Sequence, residues 1–310
     1  MSEKDDFILP RFFSLDRRGE RGHQAFVIGH PGEGKTSLLQ YLMYLAVTGT
    51  DIYGKPREKQ QGIWRVRRHD RYFDFFSLGI GILALPVGSS YKLIKVFEDD
   101  SEEEIRLEEL EEEGIPYMFY EDAEELVGKL QEGKVVCIPF DGTSKEETEF
   151  YADLFEAINN RKSQKWIHIG IDEIQDILKP YKAETMTING RFADAVSDFR
   201  KRLVNSEFAC HDPSIELDYR LIPNVKFHIY KRGASKMRND SARVRQKTID
   251  SLDINEAFII NTAFWDSFTF PKMPEDRTYR YDIQTVPSNF TGKIDLVPDY
   301  LPPTDPRGKR

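Results

Sequence analysis

The chain holds 310 residues, 39% of them apolar and 31% charged, with a formal net charge of −9. That length supports one large α/β domain, or one domain with an appendage, built on a sizeable core. No membrane span is expected, because the apolar run from Leu78 to Val87 is only ten residues long and broken by glycine and proline, against the roughly 18 residues a span requires.

Residues 1–21 read as an N-terminal extension. Met1 to Asp6 is charged and lacks the apolar region of a signal peptide, so a cytoplasmic location is expected. The short apolar run Ala25 to Ile28 reads as a buried strand, and Ser37 to Leu45 repeats apolar residues at helical spacing. Between them Gly29, His30, Pro31, Gly32, Glu33, Gly34, Lys35 and Thr36 fit the phosphate-binding pattern G-x-x-x-x-G-K-[ST]. A strand, glycine loop and helix in this order aim backbone N–H groups and a helix N-terminus at an anion. Lys35 would reach the β- and γ-phosphates of ATP, the Thr36 hydroxyl would ligate Mg²⁺, and Ser37 would complete the loop's hold on the nucleotide.

Further along, Gly62 to Arg67, Tyr91 to Phe97 and Ile115 to Tyr120 read as strands. Between the last two, residues 98–113 carry eleven acidic side chains against the single Arg106. This run reads as an acidic surface excursion, a solvated helix or flexible segment, and outside it the chain is close to neutral. Ala123 to Leu130 reads as a helix, Lys134 to Ile138 as a strand, and Glu146 to Asn159 as a helix with apolar residues three and four apart. Lys165 to Ile171 alternates polar and apolar residues before Asp172 and Glu173, which places two carboxylates at the carboxyl end of a strand, where open α/β sheets bind ligands. Asp172 would hold the Mg²⁺ and Glu173 would polarise the attacking water. The competing reading makes Glu173 a cap for a helix from Ile174 to Leu178.

A helix from Phe192 to Leu203 and strands at Phe208 to Cys210, Val225 to Tyr230 and Ala257 to Ile260 complete an alternation that implies a largely parallel sheet covered by helices. Cys137 and Cys210 fall in strands and read as buried reduced thiols rather than a disulfide or zinc site. Lys231, Arg232, Lys236, Arg238, Arg243, Arg245 and Lys247 are opposed only by Asp240 and form either a stripe that tracks a phosphate backbone or a solvated basic loop; Arg65, Arg67, Arg68 and Arg71 are the second candidates for that contact. Residues 22–270 are expected to be the ATPase domain, and 271–310, where prolines recur without period, an extended C-terminal tail.

Several families share the two nucleotide motifs. The Asn-Lys-x-Asp segment of GTPases is not supplied by Asn159-Asn160-Arg161-Lys162, and the arginine-rich lid of small-molecule kinases has no counterpart near the motifs. The stretch Phe199 to Arg202, then Phe208 to Ser214, Leu217 to Arg220 and Phe227 to Ala234, resembles the FtsK–HerA superfamily, especially the HerA-like proteins of archaea and their viruses and plasmids. Ile63 to Arg67, Gly133 to Val136 and Ile254 to Ile260 with Trp265 and Phe268 extend the resemblance over residues 22–271. It implies a RecA-like P-loop NTPase core assembled as a hexameric ring, with ATP between subunits and double-stranded DNA through the pore. A viral capsid or other protein is a further implied partner, and a viral member would work in the host cytoplasm. The family's polar sensor, usually Gln, is His211 here; imidazole can polarise a water or phosphate, and the competing reading is a strand-end histidine bonded to a local backbone group. Arg220 is the first candidate for an arginine finger supplied to a neighbour's site, ahead of Arg200, Arg202 and Arg232. The function implied is ATP-driven DNA translocation, in genome packaging or plasmid mobilisation; the alternative is an AAA+-like or Zot-like ATPase acting on a protein or membrane partner.

Overall fold

The computed structural model of the chain describes residues 12, 22–66, 73–87, 90–97, 99, 101–139, 144–179, 186–238, 240, 244–261, 265–271 and 279–286. The expectations for the rest of the N-terminal extension, for Arg67, Arg68, Arg71 and Arg243, and for residues 272–278 and 287–310 of the tail lie outside the described residues.

In chain order the strands are β1 (Gln24–Ile28), β2 (Gln61–Val66), β3 (Gly81–Pro86), β4 (Ser90–Phe97), β5 (Glu102–Ile105), β6 (Tyr117–Tyr120), β7 (Val135–Pro139), β8 (Ile167–Ile171), β9 (Val204–Cys210), β10 (Phe227–Tyr230), β11 (Glu256–Ile260), β12 (Trp265–Thr269) and β13 (Tyr279–Val286). The helices are α1 (Lys35–Thr48), α2 (Phe73–Ser77), α3 (Leu107–Glu112), α4 (Ala123–Gly128), α5 (Ser144–Asn160), α6 (Met186–Phe199), α7 (Pro213–Glu216) and α8 (Gln246–Asp250). Ten strands form one sheet in the order β12-β11-β10-β1-β9-β8-β2-β7-β3-β6. Every neighbouring pair from β10 to β6 is parallel, and β11 alone runs against the other strands, antiparallel to both β10 and β12. This is a RecA-like P-loop NTPase core, with one strand, β9, between the loop-bearing β1 and β8, the strand that leads to Asp172.

Both faces of the sheet are covered, so its strands are buried on both sides. Alternation sends Phe26 and Ile28 of β1 toward α4, α5 and α6, where they join Tyr151, Phe155, Phe192 and Phe199. Ala25 and Val27 point the other way, with Leu38, Leu42, Met43 and Val47 of α1. On that face a Cβ at Gly62 would lie 2.8 Å from Met43 Sδ of α1, and one at Gly170 would lie 2.7 Å from the Trp64 ring of the neighbouring β2. Cys137 and Cys210 are buried free thiols, as expected.

Several boundaries differ from the sequence reading. Leu78 to Val87 contains a parallel strand, β3, whose glycines and terminal proline hid it; β4 leaves the main sheet for a three-stranded antiparallel sheet in the order β13-β4-β5. The acidic run contributes β5 and α3, and its apolar Ile105 and Leu110 are buried with the α1-side core. The tail is not wholly extended away, since β13 pairs with β4 from Tyr279 to Val286. The helix expected over 192–203 begins at Met186 and ends at Phe199, because Val204 already belongs to β9. The helix expected over 174–178 is a single 3₁₀ turn, Ile174–Asp176. Among the described residues no helix is long and apolar enough to cross a membrane.

Candidate nucleotide-binding site

Strand β1 ends at Ile28, and the chain turns through the phosphate loop into α1. Gly32 and Gly34 take left-handed backbone angles (φ 82° and 79°) that other residues adopt only with strain. Gly29 is needed for a different reason: a Cβ there would sit 2.8 Å from Lys231 Cβ, on the segment that follows β10. The loop is fixed on both sides by Gly29 N–H donating to Cys210 O (3.2 Å) and Lys231 N–H donating to Ile28 O (2.8 Å). His30, Pro31 and Gly32 are exposed, and Glu33, Gly34, Thr36 and Ser37 are half-buried.

Lys35 is buried, and its Nζ donates to the carbonyl oxygens of Gly29 (2.9 Å) and His30 (3.2 Å). Burial pushes its ammonium below the ordinary lysine value, with Asp172 and Glu173 opposing the shift. The Thr36 hydroxyl donates to Asp172 Oδ2 at 2.5 Å. Two hard oxygens brought this close at a helix N-terminus fit Mg²⁺, which is commonly held by one or two protein oxygens plus phosphates.

Glu173 follows Asp172 with φ 49° and ψ 58°, a left-handed conformation rare for a residue with a side chain, and its side chain does not cap the 3₁₀ turn. The capping role is therefore not the one this structure supports. Such strain persists only where the surroundings impose it. Arg65, at the end of β2, supplies part of that constraint. Its guanidinium is buried, pairs in bidentate fashion with Glu147 of α5 (2.6 and 3.0 Å), and donates to the Asp172 carbonyl at 3.0 Å. Burial alone would lower its basicity, but the Glu147 bond holds it above the ordinary arginine value. Arg65 was a candidate for DNA contact; its burial at 5% exposure assigns it instead to the site's interior.

Because β9 lies between β1 and β8, His211 at its end falls between the two motifs. Its Nδ1 lies 2.9 Å from Gly29 O and 3.3 Å from Lys35 Nζ. A proton on Nδ1 satisfies the Gly29 oxygen and leaves Lys35 to its carbonyl acceptors. The His211 backbone N–H donates to Glu216 Oε2 at 3.0 Å, which fixes the turn.

Arg220 is not brought to this cluster within the chain. It pairs with buried Asp218 (2.9 and 2.7 Å) and donates to Met186 O (2.9 Å), fastening the connection after β9 to α6. Of the basic stripe, Lys231 is fully buried, with Nζ donating to Ile254 O (2.7 Å) and Glu256 O and lying 4.3 Å from the Phe270 ring centroid. Burial pulls its ammonium down to about 8. Arg232 pairs with Glu33 of the loop itself (2.9 and 3.2 Å), and Lys236 Nζ donates to Val244 O. These three are tied to their own chain, so the expected stripe is not a continuous one; Arg238, Arg245 and Lys247 are exposed. Sequence reasoning missed Glu147 and the loop-backing role of Lys231. An arginine and a lysine at strand ends amid apolar residues were the available signals, because a buried cation must find an acceptor.

No protein-family model matches the chain, and no curated protein sequence matches it significantly. Solved structures that follow a similar chain path include the genome packaging NTPase B204 of Sulfolobus turreted icosahedral virus 2 in complex with ATP-gammaS, 11% identical, with a TM-score of 0.47 over 81% of this chain and 98% of that one. The N-terminal domain of zonular occludens toxin from Neisseria meningitidis is 14% identical, with a TM-score of 0.34 over 81% and 96%. A KaiC-like protein from Pyrococcus horikoshii is 14% identical, with a TM-score of 0.33 over 86% and 91%. At such identities and scores the fold assignment rests on the strand order and phosphate loop described above.

Proposed function

We propose that this chain is an ATP-hydrolysing motor that moves double-stranded DNA, in viral genome packaging or plasmid mobilisation. The observation that carries the hydrolytic reading is the convergence of Thr36, Asp172, Lys35 and His211 around one phosphate loop, with Glu173 held in left-handed backbone beside them. Lys35 would bind the β- and γ-phosphates, Thr36 and Asp172 would hold Mg²⁺, Glu173 would orient and deprotonate the attacking water, and His211 would report the γ-phosphate to the loop through Gly29. Thr36 and Asp172 would in this way bring to the phosphates the charge neutralisation that Mg²⁺ supplies when bound. The DNA reading is supported by the ordered FtsK–HerA resemblance over residues 22–271.

A homo-oligomeric ring, hexameric in the resembling family, would place Arg220 at a neighbour's nucleotide. To act there it would have to exchange Asp218 and Met186 for a phosphoryl group. Mixing Arg220→Ala with Glu173→Gln subunits tests this: partial recovery of activity supports a trans role, and no recovery at any ratio with assembly intact assigns Arg220 to the fold alone. For the chemistry, Lys35→Ala should abolish nucleotide binding, whereas Glu173→Gln should bind ATP and lose turnover by about 10²–10⁴-fold. Full turnover in the Glu173 variant would remove it from the reaction. Hydrolysis that duplex DNA fails to stimulate would favour a protein- or membrane-directed ATPase of the AAA+ or Zot kind.

A further inference from the structure

Strands β8 and β9 are parallel neighbours, so the loops that lead into them must meet at the amino-terminal edge of the sheet. Those loops read Arg161-Lys162-Ser163-Gln164-Lys165 and Arg200-Lys201-Arg202, a concentration of cations that the sequence separates by some forty residues. All of these residues except Arg200 line two adjoining concavities of about 510 and 520 Å³ that share Arg161, Lys162 and Ser163, with Glu124 the one carboxylate among the described lining residues. Lys162, Lys165, Lys201 and Arg202 are exposed.

Arg161 is the organiser. Its NH1 donates to Ile158 O (2.6 Å) and its NH2 to Lys165 O (3.1 Å) and Arg202 O, so one guanidinium binds both loops, and its Nε is buried without an acceptor. Burial first, and then the charge of Arg202, lower its basicity to about 10. The counter-ions at the rim, Glu132 to Lys165 (3.1 Å) and Asp198 to Lys201 (2.9 Å), form exposed pairs that water screens and an anion can displace. On a chain of net charge −9, this local excess of positive charge opposes the overall field.

We propose that this basic cleft, rather than the segment from Lys231 to Lys247, is where the protein holds the phosphate backbone of duplex DNA; the inference rests on the DNA reading above. Long, exposed cationic side chains spread over two open concavities suit repeated phosphates better than one tightly coordinated anion. Among the described residues no aromatic side chain lines either concavity, which suits contact with the backbone rather than reading of bases. The cleft sits one strand length from the nucleotide, roughly 17 Å for the five residues of β8. At that separation direct charge coupling is screened, and loss of the cleft should spare basal hydrolysis.

The test is the full chain carrying Lys162→Gln, Lys165→Gln, Lys201→Gln and Arg202→Gln, with Arg161 retained, against a random-sequence labelled duplex over a salt series. Fluorescence anisotropy should show binding at least about tenfold weaker at 0.1 M salt and a log K against log salt slope flatter by about 3–4, since each lost phosphate contact removes about 0.9. The far-UV circular dichroism of the fourfold variant should match wild type, as should ATPase without DNA in the pair Lys162→Gln with Lys201→Gln, which leaves the finger candidate Arg202 in place. The pair Lys162→Gln with Lys201→Gln should give about half the slope change, which guards against a folding defect in the fourfold variant. Wild-type affinity and slope in the fourfold variant would overturn the proposal while leaving the DNA reading intact. An absence of duplex binding by the wild-type protein, with basal ATPase present, would overturn both. A changed oligomer size with unchanged DNA affinity would assign the cleft to contact between copies of the chain, and overturns the proposal too.

Discussion

The two ends of the same strands carry charge under opposite conditions. At the carboxyl ends of β1, β8 and β9, Lys35, Asp172 and His211 meet around a glycine loop whose outer residues are exposed. Toward the other end, Glu207, midway along β9, is fully buried beneath α1, with His23 Nε2 2.5 Å from one oxygen and His168 Nε2 2.6 Å from the other. His23 N–H donates to Asn205, whose amide donates to Gln60, and the ring of Phe12 lies 4.2 Å from that of His23, tilted by 37°. The cavity there is about 20 Å³, room for a single water. Polarity at the open end is available to a ligand, whereas polarity at the closed end must be satisfied by the chain itself. Substitutions at the two ends should therefore separate cleanly into function and stability.

The largest expected effect is at the closed end. Glu207→Ala strands two histidines in the core and should cost about 3–5 kcal/mol in urea unfolding, with ATP-analogue affinity of the folded fraction unchanged. Lys35→Ala should show the reverse, with stability within about 1 kcal/mol of wild type and no nucleotide binding. A Glu207 variant as stable as wild type would erase the contrast.

Arg65 joins stability to function and should blur the contrast in a measurable way. Arg65→Lys keeps the charge but loses the bidentate grip on Glu147 and the hold on the Asp172 carbonyl. Turnover should fall about 10–100-fold while ATP affinity stays within a few-fold, because Glu173 loses its placement. A fall in affinity without loss of turnover would reject that positioning role. Gly170→Ala, which would put a Cβ 2.7 Å from the Trp64 ring, should cost about 1–3 kcal/mol by overpacking, read from the denaturation midpoint.

Two pH effects are smaller and lie outside the neutral range. Burial alone would raise the Glu207 carboxyl, but His168 and His23 hold it at about 2, below its free value of 4.5. Its contribution is complete above 4.5 and is lost as pH falls from 4.5 toward 2; Glu207→Gln should flatten that arm of the stability profile. Lys231, brought down to about 8 from 10.5, binds its proton more weakly folded than unfolded. Stability should therefore rise between pH 8 and 10.5, and Lys231→Met should remove the rise.

The nucleotide motifs were legible in the sequence because each is local: Gly29 to Thr36 needs only a strand before and a helix after, and Asp172-Glu173 needs only the strand that delivers it. Long periodic helices such as α5 were legible for the same reason, since their period is written in neighbouring residues. Strand β3 was not, because glycine and proline mask a short strand buried on both faces. The placement of β4 was not either, since an apolar alternation does not say which sheet it joins.

The sequence by itself determined that a phosphate loop opens a helix and that two carboxylates end a strand, because backbone geometry and side-chain period act over a few residues. Tertiary structure decided the rest: that β9 lies between those motifs and delivers His211 to Lys35, that Arg65 reaches Glu147 across 82 residues, that Lys231 is buried rather than free, and that the loops before β8 and β9 join into one basic cleft. Each depends on which strands become neighbours, and strand order follows from how the helices cover both faces of the sheet, a property of the packed whole.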